Sequence, residues 1–283
     1  MRYSIGLYEK AMPNKLSIRE KLECAKKSNY DYIELSIDAS EEKIDRINMS
    51  MDERFNIVKD MYETGISIDS FCVSALTKYA LGDMNKSNGE RGMQILSGAI
   101  VLAHDLGVRI VMIPGYDIYF GESTEKTCSK YINNLKIAVD EAAKYGVYLG
   151  FETMENEFMN TTQKAMEYVK KINSPFLQIY PDCGNITNAV KEHGISIVDD
   201  LRTGKGHLLA MHLKETIPGI FREVPYGTGH VDFETTIHIA WELGVRKYVT
   251  EFWDVGKENW FEDVLFANTM MRNLLDKEIS YIL

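Results

Sequence analysis

The sequence predicts an α/β fold, a single (β/α)8 TIM barrel that spans residues 1–283. Three observations support this fold: eight short apolar runs, longer segments with helical spacing between them, and a length near the roughly 250 residues typical of such barrels. The runs are rich in β-branched and aromatic residues, which favour strands. They cover residues 4–7, 32–36, 66–71, 110–113, 148–153, 178–182, 208–213 and 248–252.

The segments between these runs have the period of amphipathic helices. In one of them Ile95, Ala99, Leu102 and Leu106 recur every three or four residues, which places them on one helix face. Several segments end in a glycine that can adopt the left-handed conformation of a helix C-terminus just before the next strand. These glycines are Gly65, Gly107, Gly146 and Gly244. No Pro-rich or Ser-rich linker separates the units, so we expect one domain.

An open, doubly wound sheet is the alternative architecture. Its usual nucleotide ligands need a glycine-rich phosphate loop, and no strand-to-helix joint reads G-x-G-x-x-G or G-x-x-x-x-G-K-[ST]. An open sheet would also spread the ends of its last four strands over about 14 Å, whereas a barrel directs them toward a common axis. The polar residues at those ends therefore favour the barrel.

Composition excludes several classes of partner. Asp and Glu number 42 against 32 Lys and Arg, a net charge of -10 that repels nucleic acids and anionic membranes. The most apolar stretch, residues 95–116, is interrupted by His104, Asp105 and Arg109, so we expect no membrane span. The N-terminus lacks the pattern of a signal peptide, and the four cysteines lie far apart. We therefore expect free thiols and a cytoplasmic location.

Each of the last four predicted strands ends in a side chain that can bind a metal. These residues are Glu152, Asp182, His212 and Glu251. A carboxylate at a strand end often only caps the next helix, but the carboxyl ends of barrel strands converge on one axis. Three carboxylates there would repel one another unless a cation neutralised them. We therefore expect one divalent ion, Mn²⁺, Mg²⁺ or Co²⁺, with Zn²⁺ also acceptable.

The chemistry follows from the two glutamates in this set. A proton next to a carbonyl group is too weakly acidic for a free carboxylate, so a metal must stabilise the enediolate that forms. If Glu152 and Glu251 face opposite sides of that planar intermediate, one removes the proton and the other returns it. The carbon is then inverted, which is the reaction of an epimerase.

Seven segments along the chain resemble the bacterial L-ribulose/L-xylulose-5-phosphate 3-epimerases of ascorbate catabolism. They are Gly6-Leu7-Tyr8-Glu9-Lys10-Ala11, Tyr32-Ile33-Glu34-Leu35-Ser36-Ile37-Asp38, Pro114-Gly115-Tyr116-Asp117-Ile118-Tyr119, Phe158-Met159-Asn160, Tyr180-Pro181-Asp182-Cys183-Gly184-Asn185, His212-Leu213-Lys214-Glu215-Thr216 and Phe221-Arg222-Glu223-Val224-Pro225-Tyr226-Gly227-Thr228-Gly229. The resemblance implies a xylose-isomerase-like barrel and an epimerase that acts on a sugar phosphate. It also implies a metal site made of the four strand-end residues, with Glu152 and Glu251 as the acid/base pair.

One segment departs from the family pattern. After residues 72–75 the family continues with a His-Arg pair, whereas this chain reads Leu76-Thr77-Lys78. The loop after strand three therefore lacks an imidazole and a guanidinium near the expected substrate. This departure leaves open which sugar is bound and whether it carries a phosphate.

Three further residues are candidates for binding the substrate or its phosphate. Lys214 lies two residues after His212, so in an extended strand both side chains share a face. Arg222 offers a planar fork suited to phosphate, in a loop whose glycines allow close approach of the backbone. Glu34 ends strand two and could bind a sugar hydroxyl, although helix capping is an equal alternative.

Other functions of the same barrel remain open. An aldose–ketose isomerase, a free-ketose 3-epimerase or an inosose-type dehydratase would use the same intermediate. An apurinic endonuclease would need more histidines than the six present, and a basic DNA-binding face. A sugar sensor would not need the acid/base pair. We also expect a homodimer, with the Met-rich run around Phe266 and Met270 in the core or in the dimer surface.

Overall fold

The eight strands of this protein form one parallel sheet that curls into a barrel, in a computed structural model that describes residues 3–280. The order in the sheet is β6-β5-β4-β3-β2-β1-β8-β7, which is chain order with β1 paired to β8. The strands are β1 (Ser4–Tyr8), β2 (Tyr32–Ser36), β3 (Ser67–Cys72), β4 (Ile110–Pro114), β5 (Tyr148–Glu152), β6 (Leu177–Tyr180), β7 (Met211–Leu213) and β8 (Lys247–Thr250). The TIM barrel predicted from the sequence is confirmed.

The barrel closes between β6 and β7 through isolated contacts and not through a full ladder. The amide of Ile179 donates to the carbonyl of His207, and the amide of Leu209 donates to the carbonyl of Ile179, each at 2.9 Å. Pro181 has no N–H to donate, and β6 ends one residue before it. Because pairing is sparse here, β6 and β7 are shorter than the predicted runs at 178–182 and 208–213.

Ten α-helices surround the strands within residues 3–280. They are α1 (Ile18–Lys27), α2 (Glu41–Ile44), α3 (Met51–Thr64), α4 (Lys86–Leu106), α5 (Glu125–Tyr145), α6 (Thr162–Ile172), α7 (Cys183–His193), α8 (Ile197–Thr203), α9 (Phe233–Glu242) and α10 (Trp260–Ser280). The four glycines predicted at helix ends all have positive φ, between 64° and 94°. Three of them, Gly65, Gly107 and Gly146, are the C-caps of α3, α4 and α5, as expected.

An aromatic layer fills the inside of the barrel. Tyr8, Tyr32, Cys72 and Tyr180 pack together there, apart from the larger core between the sheet and the helices. The ring of Tyr32 lies so close to Gly6 that a Cβ at that position would be 2.4 Å from a ring carbon. A glycine is therefore needed in β1 to admit this ring.

The structure bears on two expectations from the sequence, one about membrane-spanning helices and one about the cysteines. Among the described helices, none combines the length and the apolar character that a membrane span requires. All four cysteines are unpaired, and three of them are buried. The predicted free thiols are confirmed.

Candidate active site

The four strand-end residues predicted to bind a metal lie together at the carboxyl end of the barrel. Each of Glu152, Asp182, His212 and Glu251 offers one ligand atom, and these atoms lie within 4.8 Å of one another. Nδ1 of His212 is 3.1 Å from Oε2 of Glu251, 3.5 Å from Oε1 of Glu152 and 3.9 Å from Oδ2 of Asp182. All four residues are buried. The structure thus brings together the whole predicted set.

The ends of four consecutive strands position these side chains. Glu152 is the last residue of β5, His212 is the middle residue of β7, and Glu251 follows β8 directly. Asp182 lies two residues beyond β6 and is the N-cap of α7, where its Oδ1 accepts a hydrogen bond from the amide of Asn185 at 2.7 Å. The cap uses one oxygen of Asp182 and leaves the other directed toward His212.

Glu34 lies behind His212 and does not line the cavity above it. Its Oε1 is 2.7 Å from Nε2 of His212, and its Oε2 accepts hydrogen bonds from the hydroxyls of Ser70 at 2.7 Å and Tyr180 at 3.0 Å. Both oxygens are therefore engaged inside the barrel, so the structure gives Glu34 a different place from the sugar-hydroxyl contact expected from the sequence. A carboxylate on the far nitrogen of a histidine orients the ring and leaves the near nitrogen to a metal.

Burial and neighbouring charges shift the proton affinities of this cluster. Burial raises the pKa of Glu152, and it raises the pKa of Asp182 to about 8. Burial acts in the same direction on Glu251, but Lys214 and His212 outweigh it and hold the pKa of Glu251 well below its usual range. For His212 burial opposes the charged form, yet the surrounding carboxylates raise its pKa well above the usual value. Lys214 and His212 therefore do not offset the charge of all the buried carboxylates, and these carboxylates cannot all be ionised at once.

The donor set fits a divalent metal ion. Oδ2 of Asp182, Nδ1 of His212 and Oε2 of Glu251 are buried and face one another, and the ammonium group of Lys214, 2.9 Å from Oδ2 of Asp182, is the cation beside them. Buried polar atoms are nearly always partnered, so ligand atoms that face one another in this way are suited to hold a cation. Three carboxylates and one imidazole suit Mn²⁺, Mg²⁺, Co²⁺ or Zn²⁺, and binding would displace the protons that the cluster otherwise holds.

A cavity of about 340 Å³ opens above this cluster. Glu152, Glu251 and Lys214 line it, together with Arg222 and Trp253. The two predicted acid/base residues are therefore accessible to a small molecule, and they belong to strands that are three positions apart around the barrel. A substrate in this cavity would lie between them.

The two predicted basic residues occupy different surroundings. Nζ of Lys214 is 2.9 Å from Oδ2 of Asp182 and 3.5 Å from Oε2 of Glu251, and its side chain is only 5% exposed. Arg222 is 53% exposed; its guanidinium is 3.5 Å from Glu155 and lies over the ring of Trp253. Lys214 therefore belongs to the buried carboxylate cluster, whereas Arg222 lies near the entrance of the cavity.

The cavity also has residues that the sequence reasoning missed. Lys10 and Asp38 form an ion pair of 2.8 Å in its wall. Lys10 follows the end of β1 closely, so the strand-end rule used for the metal ligands could have found it. Thr77, in the segment that departs from the family pattern, lines the cavity as well, as does Ser74 just before that segment. The loop after β3 therefore lies where the substrate is expected.

Comparison with known proteins gives concordant results. The model of the xylose isomerase-like TIM barrel family matches residues 22–267. L-ribulose-5-phosphate 3-epimerase UlaE of Escherichia coli (strain SMS-3-5 / SECEC) is 33% identical over 274 residues, which are 96% of this chain and 95% of that protein. The protein of the same name from Salmonella heidelberg (strain SL476) is 34% identical over 256 residues, 90% and 89% of the two chains.

Solved structures agree on the fold. A D-psicose 3-epimerase with D-fructose has a TM-score of 0.79 at 16% identity and covers 96% of this chain and 99% of that one. An L-ribulose 3-epimerase has a TM-score of 0.79 at 15% identity, with 100% and 97% covered. At such identities the likeness supports the barrel alone. The family model and the sequence relatives place the chain in the xylose isomerase-like TIM barrel family and, within it, among the L-ribulose-5-phosphate 3-epimerases, which are isomerase-class epimerases.

Proposed function

We propose that this protein is a metal-dependent 3-epimerase that interconverts L-ribulose 5-phosphate and L-xylulose 5-phosphate. The observation that carries the proposal is the pair of buried glutamates, Glu152 and Glu251, which meet at His212 and line one cavity. The relatives that match nearly the whole chain carry the name of this activity. The expected cytoplasmic location and the place in ascorbate degradation stay predictions.

The two glutamates divide the proton transfer. One takes the C3 proton of the bound ketose, and the other delivers a proton to the opposite face of the resulting planar enediolate. Lys214, 3.5 Å from Glu251, favours the ionised form of that residue. Burial favours the protonated form of Glu152. Two carboxyl groups with opposed preferences suit a reaction that needs one base and one acid at a time.

When bound, a divalent metal ion would supply positive charge to offset the negative charge that develops on the substrate oxygens. Glu152, Asp182, His212 and Glu251 would hold it, and Glu34 keeps the His212 ring in place through Nε2. The walls of the cavity position C3 of the substrate between the two glutamates.

In this proposal the phosphate of the substrate binds to Arg222. A phosphate beside Lys214 would lie against Asp182 and Glu251, which repel it, whereas Arg222 has one ion-pair partner among residues 3–280, Glu155, and faces the entrance. A free-ketose 3-epimerase is the second candidate. It is favoured by Asp38 in the cavity wall, because a carboxylate accepts hydrogen bonds from hydroxyls and repels a dianion.

The experiment is proton NMR of both epimers in D2O with Mn²⁺ and the variants Glu152→Gln and Glu251→Gln. Each variant should epimerise about 10²–10⁴-fold more slowly, the usual contribution of a general acid or base. Each should also lose C3 exchange from one epimer, and the affected epimer should differ between the two variants. Metal content is measured in parallel, so that loss of the ion is recognised.

Glu157→Gln is the matched control. Glu157 lies in the loop that follows β5, its side chain is 65% exposed, and it does not line the cavity. It should epimerise at the rate of the unmodified protein. Normal rates in both active-site variants with metal bound would contradict the two-base scheme, as would loss of exchange from the same epimer in both.

A further inference from the structure

The loop between β7 and α9 is long for a connection in a barrel. It covers residues 214–232, and it brings Phe221 and Arg222 into the wall of the cavity. Connections of this length without a helix or a strand are uncommon in compact domains, and they usually serve a function. The place of Arg222 at the entrance therefore depends on how this loop is held.

A single buried carboxylate holds the two ends of the loop together. Glu215 is 3% exposed, and its Oε1 accepts hydrogen bonds from the amides of Thr216 and Val231, each at 3.2 Å. Its Oε2 accepts a hydrogen bond from the amide of Gly227 at 3.1 Å. Thr216 belongs to the first part of the loop, and the other two residues belong to its last part. Both parts are thus folded around Glu215.

The partners of Glu215 among residues 3–280 are backbone amides and not a lysine or an arginine. A buried carboxylate needs compensating charge or hydrogen bonds. Three amide dipoles that converge on one carboxylate provide this compensation. Glu215 therefore stays buried without strain on its charge while the loop keeps its folded shape, and it stabilises that shape in turn.

The tip of the loop, residues 217–225, is joined to the rest of the chain mainly through its base. Among the described residues, the backbone hydrogen bonds of the tip stay within the loop. The guanidinium of Arg222 is 3.5 Å from Glu155 and lies over the ring of Trp253. The next residue, Glu223, has a φ of 59°, which a residue other than glycine adopts at a cost. A tip with so few contacts takes its position from the base.

We propose that Glu215 is a positioning residue for the reaction. By binding the amides at the base of the loop, it places Arg222 at the entrance of the cavity; the inference rests on the proposed function, in which Arg222 binds the phosphate. Glu215 itself does not line the cavity, and the catalytic glutamates Glu152 and Glu251 lie at the ends of other strands. Loss of Glu215 should therefore weaken substrate binding and leave the chemical step almost unchanged.

Steady-state kinetics of Glu215→Gln on a pentulose 5-phosphate tests this role. A carboxamide keeps the size of the side chain, but its NH2 group would face a backbone N–H group that the carboxylate now accepts. KM should rise about tenfold, as for a lost charge-assisted hydrogen bond, and kcat should stay within about twofold. Gly229→Ala should act in the same direction, because its Cβ would lie 2.2 Å from Oε1 of Glu215. Circular dichroism verifies that each variant is folded.

A double-mutant cycle tests whether Glu215 acts through the tip of the loop. In a protein that already carries Phe221→Ala and Arg222→Ala, Glu215→Gln should raise KM by less than about twofold, because the side chains that it places are gone. A further tenfold rise in that background would overturn the proposal.

Hydrogen exchange of the substrate-free protein tests the hold on the loop without the reaction. In Glu215→Gln the amides of residues 226–231 should exchange at least about tenfold faster, because the carboxylate that binds them is lost. Unchanged exchange together with an unchanged KM would overturn the positioning role when Arg222→Ala still raises KM. If Arg222→Ala leaves KM unchanged, the phosphate contact of the proposed function is wrong.

Asp200→Asn is the matched control. Asp200 is also a buried carboxylate that binds backbone amides, those of Thr162 at 2.8 Å and Gln163 at 3.1 Å, but it lies outside the cavity. The variant should lower the midpoint of thermal unfolding, as Glu215→Gln does, and leave KM and kcat unchanged. An equal rise of KM in Asp200→Asn would show that lost stability explains the effect, and would overturn the proposal.

Discussion

Arg222 is a basic residue at the cavity entrance whose surroundings leave it available to a ligand. Its guanidinium is 3.5 Å from Glu155, and Glu155 also accepts a hydrogen bond from the hydroxyl of Tyr119 at 2.8 Å. The three residues come from three different loops at the entrance of the cavity. A phosphate could replace Glu155 as the partner of Arg222 without exposing a buried charge.

Arg222→Ala should raise the KM for a pentulose 5-phosphate by ten- to a hundredfold, because a charge-assisted hydrogen bond contributes about 1.5–3 kcal/mol. Turnover of the unphosphorylated ketose should hardly change. Steady-state kinetics on both substrates measures the difference, with Arg202→Ala, an exposed arginine outside the cavity, as the control. Equal losses on both substrates would instead support the free-ketose epimerase.

At the residue scale the sequence was most informative where a side chain ends a strand. Glu152, Asp182 and Glu251 were found because strand ends converge in any barrel. Glu34 was placed at the cavity for the same reason, but it precedes the end of β2 by two residues and therefore lies one layer deeper. A bulge in the pairing of β2 with β3 aligns it with Ser70. Alternation along a strand does not reveal such a shift.

Between elements, one buried carboxylate joins the first two β/α units. Glu9, in the turn after β1, is fully buried and is bonded to Lys21 of α1 at 2.6 Å, to Lys43 of α2 and to Arg46 at 2.5 Å. It also accepts the amide of Ser36 at the end of β2 at 2.8 Å. The residues on either side of Glu9 line the cavity, so this network also holds one wall of the site.

Glu9→Gln should lower the free energy of unfolding by about 3–5 kcal/mol, since three buried cations lose their common counter-charge. Burial alone would raise the pKa of Glu9, but Arg46 and the two lysines lower it well below its usual range. Its stabilisation is therefore complete above the unfolded-state pKa of about 4.3 and declines as the pH falls toward the folded-state value.

Chemical denaturation of the unmodified protein and the Glu9→Gln variant at pH 7 and at successively lower pH tests this sign. The difference in the free energy of unfolding between the unmodified protein and the variant should be constant near neutrality and shrink below about pH 4. Glu23→Gln, an exposed carboxylate on α1, is the control and should cost little at any pH. A Glu9 effect that grows on acidification would contradict the assigned role.

The elements themselves were largely predictable. Apolar runs mark the strands because both faces of a barrel strand are covered, and glycines mark the helix ends because α3, α4 and α5 end in left-handed residues. The network of Glu9 was not predictable, since its partners are separated along the sequence by 12 to 37 residues and look like surface charges. Tertiary contacts alone bring them together.

For the whole molecule, the sparse seam between β6 and β7 coincides with the candidate metal site. Isolated bridges join Ile179 to Leu208 and Asp182 to His212, in contrast to the five paired residues of β4 with β5. Glu152 and Asp182 lie on one side of this seam, and His212 and Glu251 lie on the other. A cation held by all four would therefore connect the two edges of the barrel.

Metal binding should stabilise this seam more than the rest of the barrel. With Mn²⁺ at about 100 times its dissociation constant, openings that break the site should become roughly 100-fold rarer. Hydrogen exchange measured by mass spectrometry should then slow in residues 177–182 and 207–213, and change little in β2 and β3. His212→Ala should abolish the effect. Equal protection of all strands, or protection that survives in His212→Ala, would show that the ion does not join the edges of the barrel.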